Sequence, residues 1–232
     1  MQKEVQTTKL TRIGLWLAAA GFFIWLLDYI DSLLGAFVHL NTLTYRILIG
    51  VVFGGLFPLG FAFISTLKPG GWLRFSSIVL AVVFFIRCTL LYIYGLLNPS
   101  IYELSWTKFG WSWNVMDMVH CAFVAIYTSA LILFGLSCMF FAKKRAKVFA
   151  FISGFFWVWW GFANMFYVFF IGLAPTRDVY RGEELIYNYH NSLELIENVT
   201  YIFGMCAFLA TGIFFIVLIQ TSARAEKKAI AE

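Results

Sequence analysis

Asp117 and His120 lie three residues apart in the stretch Trp113-Asn114-Val115-Met116-Asp117-Met118-Val119-His120-Cys121, which opens a long apolar run. On a helix this spacing puts both side chains on one face. A second stripe, His190, Glu194, Glu197, Asn198 and Tyr201, recurs at the helical spacing of i, i+4, i+7, i+8 and i+11. Asp28 with Asp31 makes a third, and Arg87 with Tyr94 and Asn98 a fourth. Ionisable groups inside apolar runs are costly, and they usually have a partner or a task.

The chemistry these residues suit is ligand binding. Carboxylates with an imidazole fit iron, zinc or manganese, and imidazole with a thioether such as Met116 or Met118 fits copper. Asp117, His120, Glu194 and Glu197 are therefore the expected ligands of a transition-metal ion or another cation. Asp28, Asp31, Arg87, Asn164 and Asn198 are expected to line the same layer and to contact a small polar ligand. The five carboxylates Asp28, Asp31, Asp117, Glu194 and Glu197 face one certain cation, Arg87, with His120 as a second candidate. Three things can relieve that negative excess: carboxylates held protonated, basic residues folded over from the loops, or a bound cation. A plainer reading stands beside this one, in which Arg87 and its carboxylate partners only fix the register of packed helices. No Glu-x-x-His or His-Glu-x-x-His motif supports a particular metal.

The elements that must position these groups are apolar helices. Of 232 residues, 62% are hydrophobic and only 12% charged, half the ~25% usual in soluble domains. With a mean hydropathy of +0.83, this composition predicts a polytopic membrane protein. Six apolar segments are predicted, at about 13–38, 47–67, 72–97, 113–142, 148–174 and 193–220, each near or beyond the ~20 residues that cross a bilayer. The expected fold is a single all-α domain, a bundle of six transmembrane helices. The first run contains Asp28 and Asp31 and is too long for a signal-peptide core, so it is expected to remain as a mature helix.

Basic residues set the expected orientation. Lys3, Lys9 and Arg12, then Lys68 and Arg74, then Lys143, Lys144, Arg145 and Lys147, then Arg224, Lys227 and Lys228 all fall on one side. Only Arg46, Lys108, Arg177 and Arg181 fall on the other. Both termini are therefore expected in the cytoplasm of a cell (inner) membrane protein. The net charge of +5 reports this topology and is not a nucleic-acid signal. On this orientation the ionisable residues and Asn164 lie in the outer half, and the inner half offers only scattered Ser and Thr.

Other features predict packing. Gly50-x-x-x-Gly54 allows close helix approach, and Pro58 predicts a kink. Pro175–Ser192 is expected to include a short helix leading into segment 6. Cys88, Cys121, Cys138 and Cys206 sit in apolar segments without a Cys-x-x-Cys pair, which predicts no structural disulfide. The aromatic run Phe155-Phe156-Trp157-Val158-Trp159-Trp160 reads first as packing or lipid-facing surface, and second as a surface for a quinone, carotenoid or sterol.

Three functional classes follow. The first is an outward-facing site for a cation, metal or small polar ligand. The second is a non-catalytic accessory subunit of a larger membrane complex, suggested by the small loops. The third is a secondary transporter, which the featureless inner half disfavours. The first class includes a catalytic site, but the chain has no Gly-x-Ser-x-Gly elbow and no deep His pair for haem.

Overall fold

The computed structural model describes residues 7–34, 50–67, 71–87, 115–141, 146–173, 179–181 and 184–231. Six helices follow one another in the chain. They are α1 (Lys9–Leu34), α2 (Phe57–Ile64), α3 (Gly71–Arg87), α4 (Val115–Met139), α5 (Lys147–Leu173) and α6 (Tyr189–Ala231). A π-helical turn, Val52–Leu56, leads into α2. Strands β1 (Val179–Arg181) and β2 (Glu184–Tyr187) form an antiparallel pair between α5 and α6. Four stretches are long and apolar enough to cross a membrane: Lys9–Leu27, Ala122–Met139, Lys147–Tyr167 and His190–Ala223. Val52–Ile64 and Gly71–Ile86 are shorter apolar helices. The all-α bundle expected from the sequence is the fold observed.

Local chemistry explains the helix ends. Thr8 caps α1, its Oγ1 accepting the Thr11 N–H at 3.1 Å. Asn188 caps α6 in the same way, taking the Asn191 N–H at 2.9 Å. The expected kink at Pro58 takes the form of the widened turn before it. Pro58 has no N–H and its ring crowds the carbonyl four residues back. The ladder adjusts so that the Phe57 N–H bonds to Val52 O, one residue further back than in an α-helix.

Each helix packs antiparallel to its neighbour in sequence, and α6 closes the ring against α1. Tyr29 of α1 meets Tyr201 of α6, while Phe22 meets Phe215. The start of α1 and the end of α6 therefore share one end of the bundle, where Lys9, Arg74 and Lys147 also lie; it is called the basic end below. The centre is aromatic. Trp25 stacks on Phe208 at 4.2 Å, and Phe22, Phe57, Phe84 and Trp157 pack around them fully buried. Trp157 and Trp160 point into this core while Phe155 and Trp159 are exposed, so one face of the aromatic run of α5 is packing surface.

The helices approach closely at several glycines. A Cβ on Gly14 would lie 2.6 Å from Gly60 O, and one on Gly135 would lie 2.8 Å from Gly154 O. A Cβ on Gly50 would meet nothing within 4 Å. The tight crossings are α1 on α2 and α4 on α5, each built from one glycine per helix. Val179–Arg181 and Glu184–Tyr187 form the β-hairpin, and the helix expected to lead into segment 6 is the first turn of α6, from Tyr189.

Candidate functional site

The seam between α5 and α6 carries the polar contacts that join them. Ser153, Trp160 and Tyr167 recur every seven residues along α5, and Thr211, Gly204 and Glu197 recur every seven in the opposite sense along α6. Such a recurrence belongs to coiled-coil-like packing at a shallow crossing angle. The contacts pair these residues level by level. Ser153 Oγ lies 2.7 Å from Thr211 Oγ1. Trp160 Nε1 lies 2.8 Å from the position a Gly204 Cβ would take. Tyr167 Oη donates to Glu197 Oε1 at 2.7 Å. At 1.5 Å per residue, the two polar levels stand about 21 Å apart, so both fit within a ~30 Å hydrocarbon core.

The level nearer the basic end is a closed hydroxyl node. Thr211 Oγ1 donates to Ala207 O at 2.6 Å and accepts the Trp157 Nε1–H at 2.6 Å. Thr211 has one proton, already given to Ala207, so Ser153 must be the donor in the Ser153–Thr211 bond. Ser153, Trp157, Cys138 and Thr211 are all buried. The node spends its donors and acceptors on itself and ties α5 to α6. The sequence reading passed over it as scattered Ser and Thr.

The middle level has no room for a ligand. A side-chain carbon on Gly204 would fall within 3 Å of both the Tyr29 ring and the Trp160 indole. Trp160 is 2% exposed, and its N–H has no hydrogen-bond acceptor among the described residues.

The far level holds Glu197, the one predicted site carboxylate among the described residues with a side-chain hydrogen bond. Glu197 is half-buried, with the Tyr167 hydroxyl on one oxygen. One turn along α6, Tyr201 stands edge-on to Tyr29 of α1 with centroids 5.1 Å apart. One turn along α5, Asn164 is half-buried and gives its Nδ2 to Trp160 O at 2.9 Å, which commits that donor to its own helix. Asn198 is also half-buried. The arrangement sets a carboxylate with spare acceptor positions beside a tyrosine pair, at the level where α1, α5 and α6 converge.

The other predicted ligands fall into two groups. Glu194 and His190 are exposed, whereas Glu197 and Asn198 further along the same stripe are half-buried. The side chains of Asp28, Asp31, Arg87, Asp117 and His120 lie outside what the structure describes. Among the described residues, no group of three His, Cys, Asp or Glu side chains could hold a metal ion. Cys138 and Cys206 are free thiols. Comparison with known proteins returns no match among family models, curated proteins or solved structures.

Proposed function

We propose that this helical membrane protein holds a small cation in the half of the bundle away from its basic end, with Glu197 as a ligand and Tyr167 orienting its carboxylate. The observation that carries this reading is the Tyr167–Glu197 bond, 2.7 Å long, within a helix apolar enough to span the membrane. A carboxylate there is retained against a substantial desolvation cost. One tyrosine hydroxyl leaves further lone pairs for a ligand. Asp28, Asp117 and His120 are proposed to complete the coordination from α1 and α4. A transition-metal ion is one member of the class this site would take.

The test is thermal unfolding of the purified chain with sodium, calcium, manganese or zinc, and with a chelator. A cation at about 100 times its Kd stabilises the folded state by ~2.7 kcal/mol. The expected result is a cation-dependent rise in melting temperature for the wild type that is absent in Glu197→Gln. An equal rise in both would remove Glu197 from the site.

A second reading, an accessory subunit of a membrane complex, is favoured by a different observation. Between α3 and α4 runs a groove of about 390 Å³, lined by Val79, Val83, Ala125, Ser129 and Leu133 among others. Its small residues suit the close approach of another transmembrane helix. A stoichiometric partner co-purifying from native membranes would favour this reading over the first.

A further inference from the structure

The hairpin between α5 and α6 exposes an apolar face where the helices end. Tyr180 of β1 pairs with Leu185 of β2, and Arg181 pairs with Glu184. Residues directly opposite one another share a face of the ribbon, and neighbours along a strand alternate faces. Tyr180 and Leu185 thus form one face, 58% and 44% exposed. Arg181 and Glu184, also exposed, form the other. An isolated two-stranded ribbon is at best marginal in water and needs a surface against its apolar side. None of the described helices packs extensively against it.

The position of the hairpin identifies that surface. Gly204 and Trp160 mark the middle of the α5–α6 seam. Leu173, where α5 ends, lies about 20 Å along the helix from Trp160. Tyr189, where α6 begins, lies about 22 Å from Gly204. The hydrocarbon ends about 15 Å from its midplane, and the headgroup layer extends to roughly 20–22 Å. Both strands therefore start from the headgroup layer, and β2 is separated from α6 only by Asn188. So short a tether keeps the ribbon at the membrane surface. Tyrosine is enriched there because its ring is apolar and its hydroxyl is wet; Tyr180, Tyr187 and Tyr189 supply three.

We infer that the hairpin is an interfacial foot. It lies on the headgroup layer of the same bilayer with Tyr180 and Leu185 turned into the lipid and Arg181 and Glu184 turned to water. Arg181 and Glu184 have opposite signs, so the attraction rests on apolar burial and does not require anionic lipid. This inference is independent of the cation site.

The test places an environment-sensitive fluorophore on Leu185→Cys, and separately on Arg181→Cys, in the full chain reconstituted into phosphatidylcholine vesicles. The wild-type chain, with its native cysteines, serves as the labelling blank. The Leu185 probe is expected to emit to the blue of the Arg181 probe. It should be quenched several-fold more by nitroxides at the lipid headgroup than by aqueous iodide, with the order reversed for Arg181. Equal iodide quenching at both positions overturns the inference, because the ribbon then stands in water. A Leu185 probe shielded from both quenchers also overturns it, because protein then covers the face.

Discussion

Replacing Thr211 with valine should destabilise the bundle through the indole it strands. Valine keeps the shape of threonine and removes the oxygen. Three hydrogen bonds are lost, at 2.6 Å to Ala207 O, 2.6 Å from Trp157 and 2.7 Å from Ser153. They do not count equally. The Ala207 carbonyl remains inside its own helix, and Ser153 can swing its hydroxyl to a carbonyl one turn back along α5. Trp157 Nε1 has no such choice, being part of a fully buried ring. A buried donor left unmade costs about 1–3 kcal/mol. Hydrogen bonds between membrane helices average only ~0.6 kcal/mol, with a maximum near 1.7. The stranded indole should place Thr211→Val near the top of that range, at about 1.5 kcal/mol. Thr211→Ser keeps the oxygen and loses one methyl, so its loss should be about 0.8 kcal/mol. In Trp157→Phe, which has no indole N–H, the further change Thr211→Val should cost only about 0.5 kcal/mol. The assay is reversible unfolding in mixed micelles, read as a free energy against the mole fraction of denaturing detergent. Equal costs for Thr211→Val in the wild-type and Trp157→Phe backgrounds would refute the reasoning, because the indole would then contribute nothing.

Two further outcomes can be measured in the same assay. Gly135→Ala should destabilise by about 1–3 kcal/mol, because its Cβ would lie 2.8 Å from both Gly154 O and Trp157 Cβ; Gly50→Ala, with nothing within 4 Å, should be neutral or stabilise by up to about 1 kcal/mol. Tyr167→Phe should cost about 1.5–3 kcal/mol where Glu197 is ionised, and that cost should shrink in a Glu197→Gln background; an unchanged cost would show that the tyrosine acts through packing alone.

The sequence made the class of fold readable because a bilayer leaves few options. Backbone groups in hydrocarbon must bond within their own segment, so each apolar run of sufficient length reads as a helix. Contacts between helices were less readable. Gly50-x-x-x-Gly54 satisfies a single-helix motif, yet the close crossings pair Gly14 with Gly60 and Gly135 with Gly154. A crossing needs only one small residue on each helix at the same depth, and no spacing along one helix reports that. The α5–α6 seam left a trace that was available, the seven-residue recurrence of Ser153, Trp160 and Tyr167 against Glu197, Gly204 and Thr211. The hairpin also left one. Val-Tyr-Arg and Glu-Leu-Ile-Tyr flank Gly182-Glu183, and Gly-x between β-favouring runs is a hairpin signal. The helical stripe from His190 to Tyr201 was readable as a spacing, but its exposure changes along the helix. Within the stripe, Glu194 and His190 lie nearest the start of α6 and are exposed, and Glu197 and Asn198 are half-buried.

Depth accounts for how polarity is divided along the seam. The penalty for a polar group is greatest at the centre of the bilayer and falls toward its faces. The α5–α6 seam follows that gradient. Its middle level is Trp160 packed over Gly204, about 10 Å from either polar pair. The level toward the basic end is neutral and has spent its hydrogen bonds among Ser153, Trp157 and Thr211. The opposite level carries a carboxylate, with the tyrosine hydroxyl of Tyr167 on one oxygen. Helix pairing needs only the first kind of contact, since a hydroxyl node fixes register without a charge to desolvate. An acid therefore calls for a reason beyond register, and the proposed cation at Glu197 would be one. Glu197→Gln separates the two roles, because glutamine keeps an acceptor for Tyr167 while removing the charge that a cation needs.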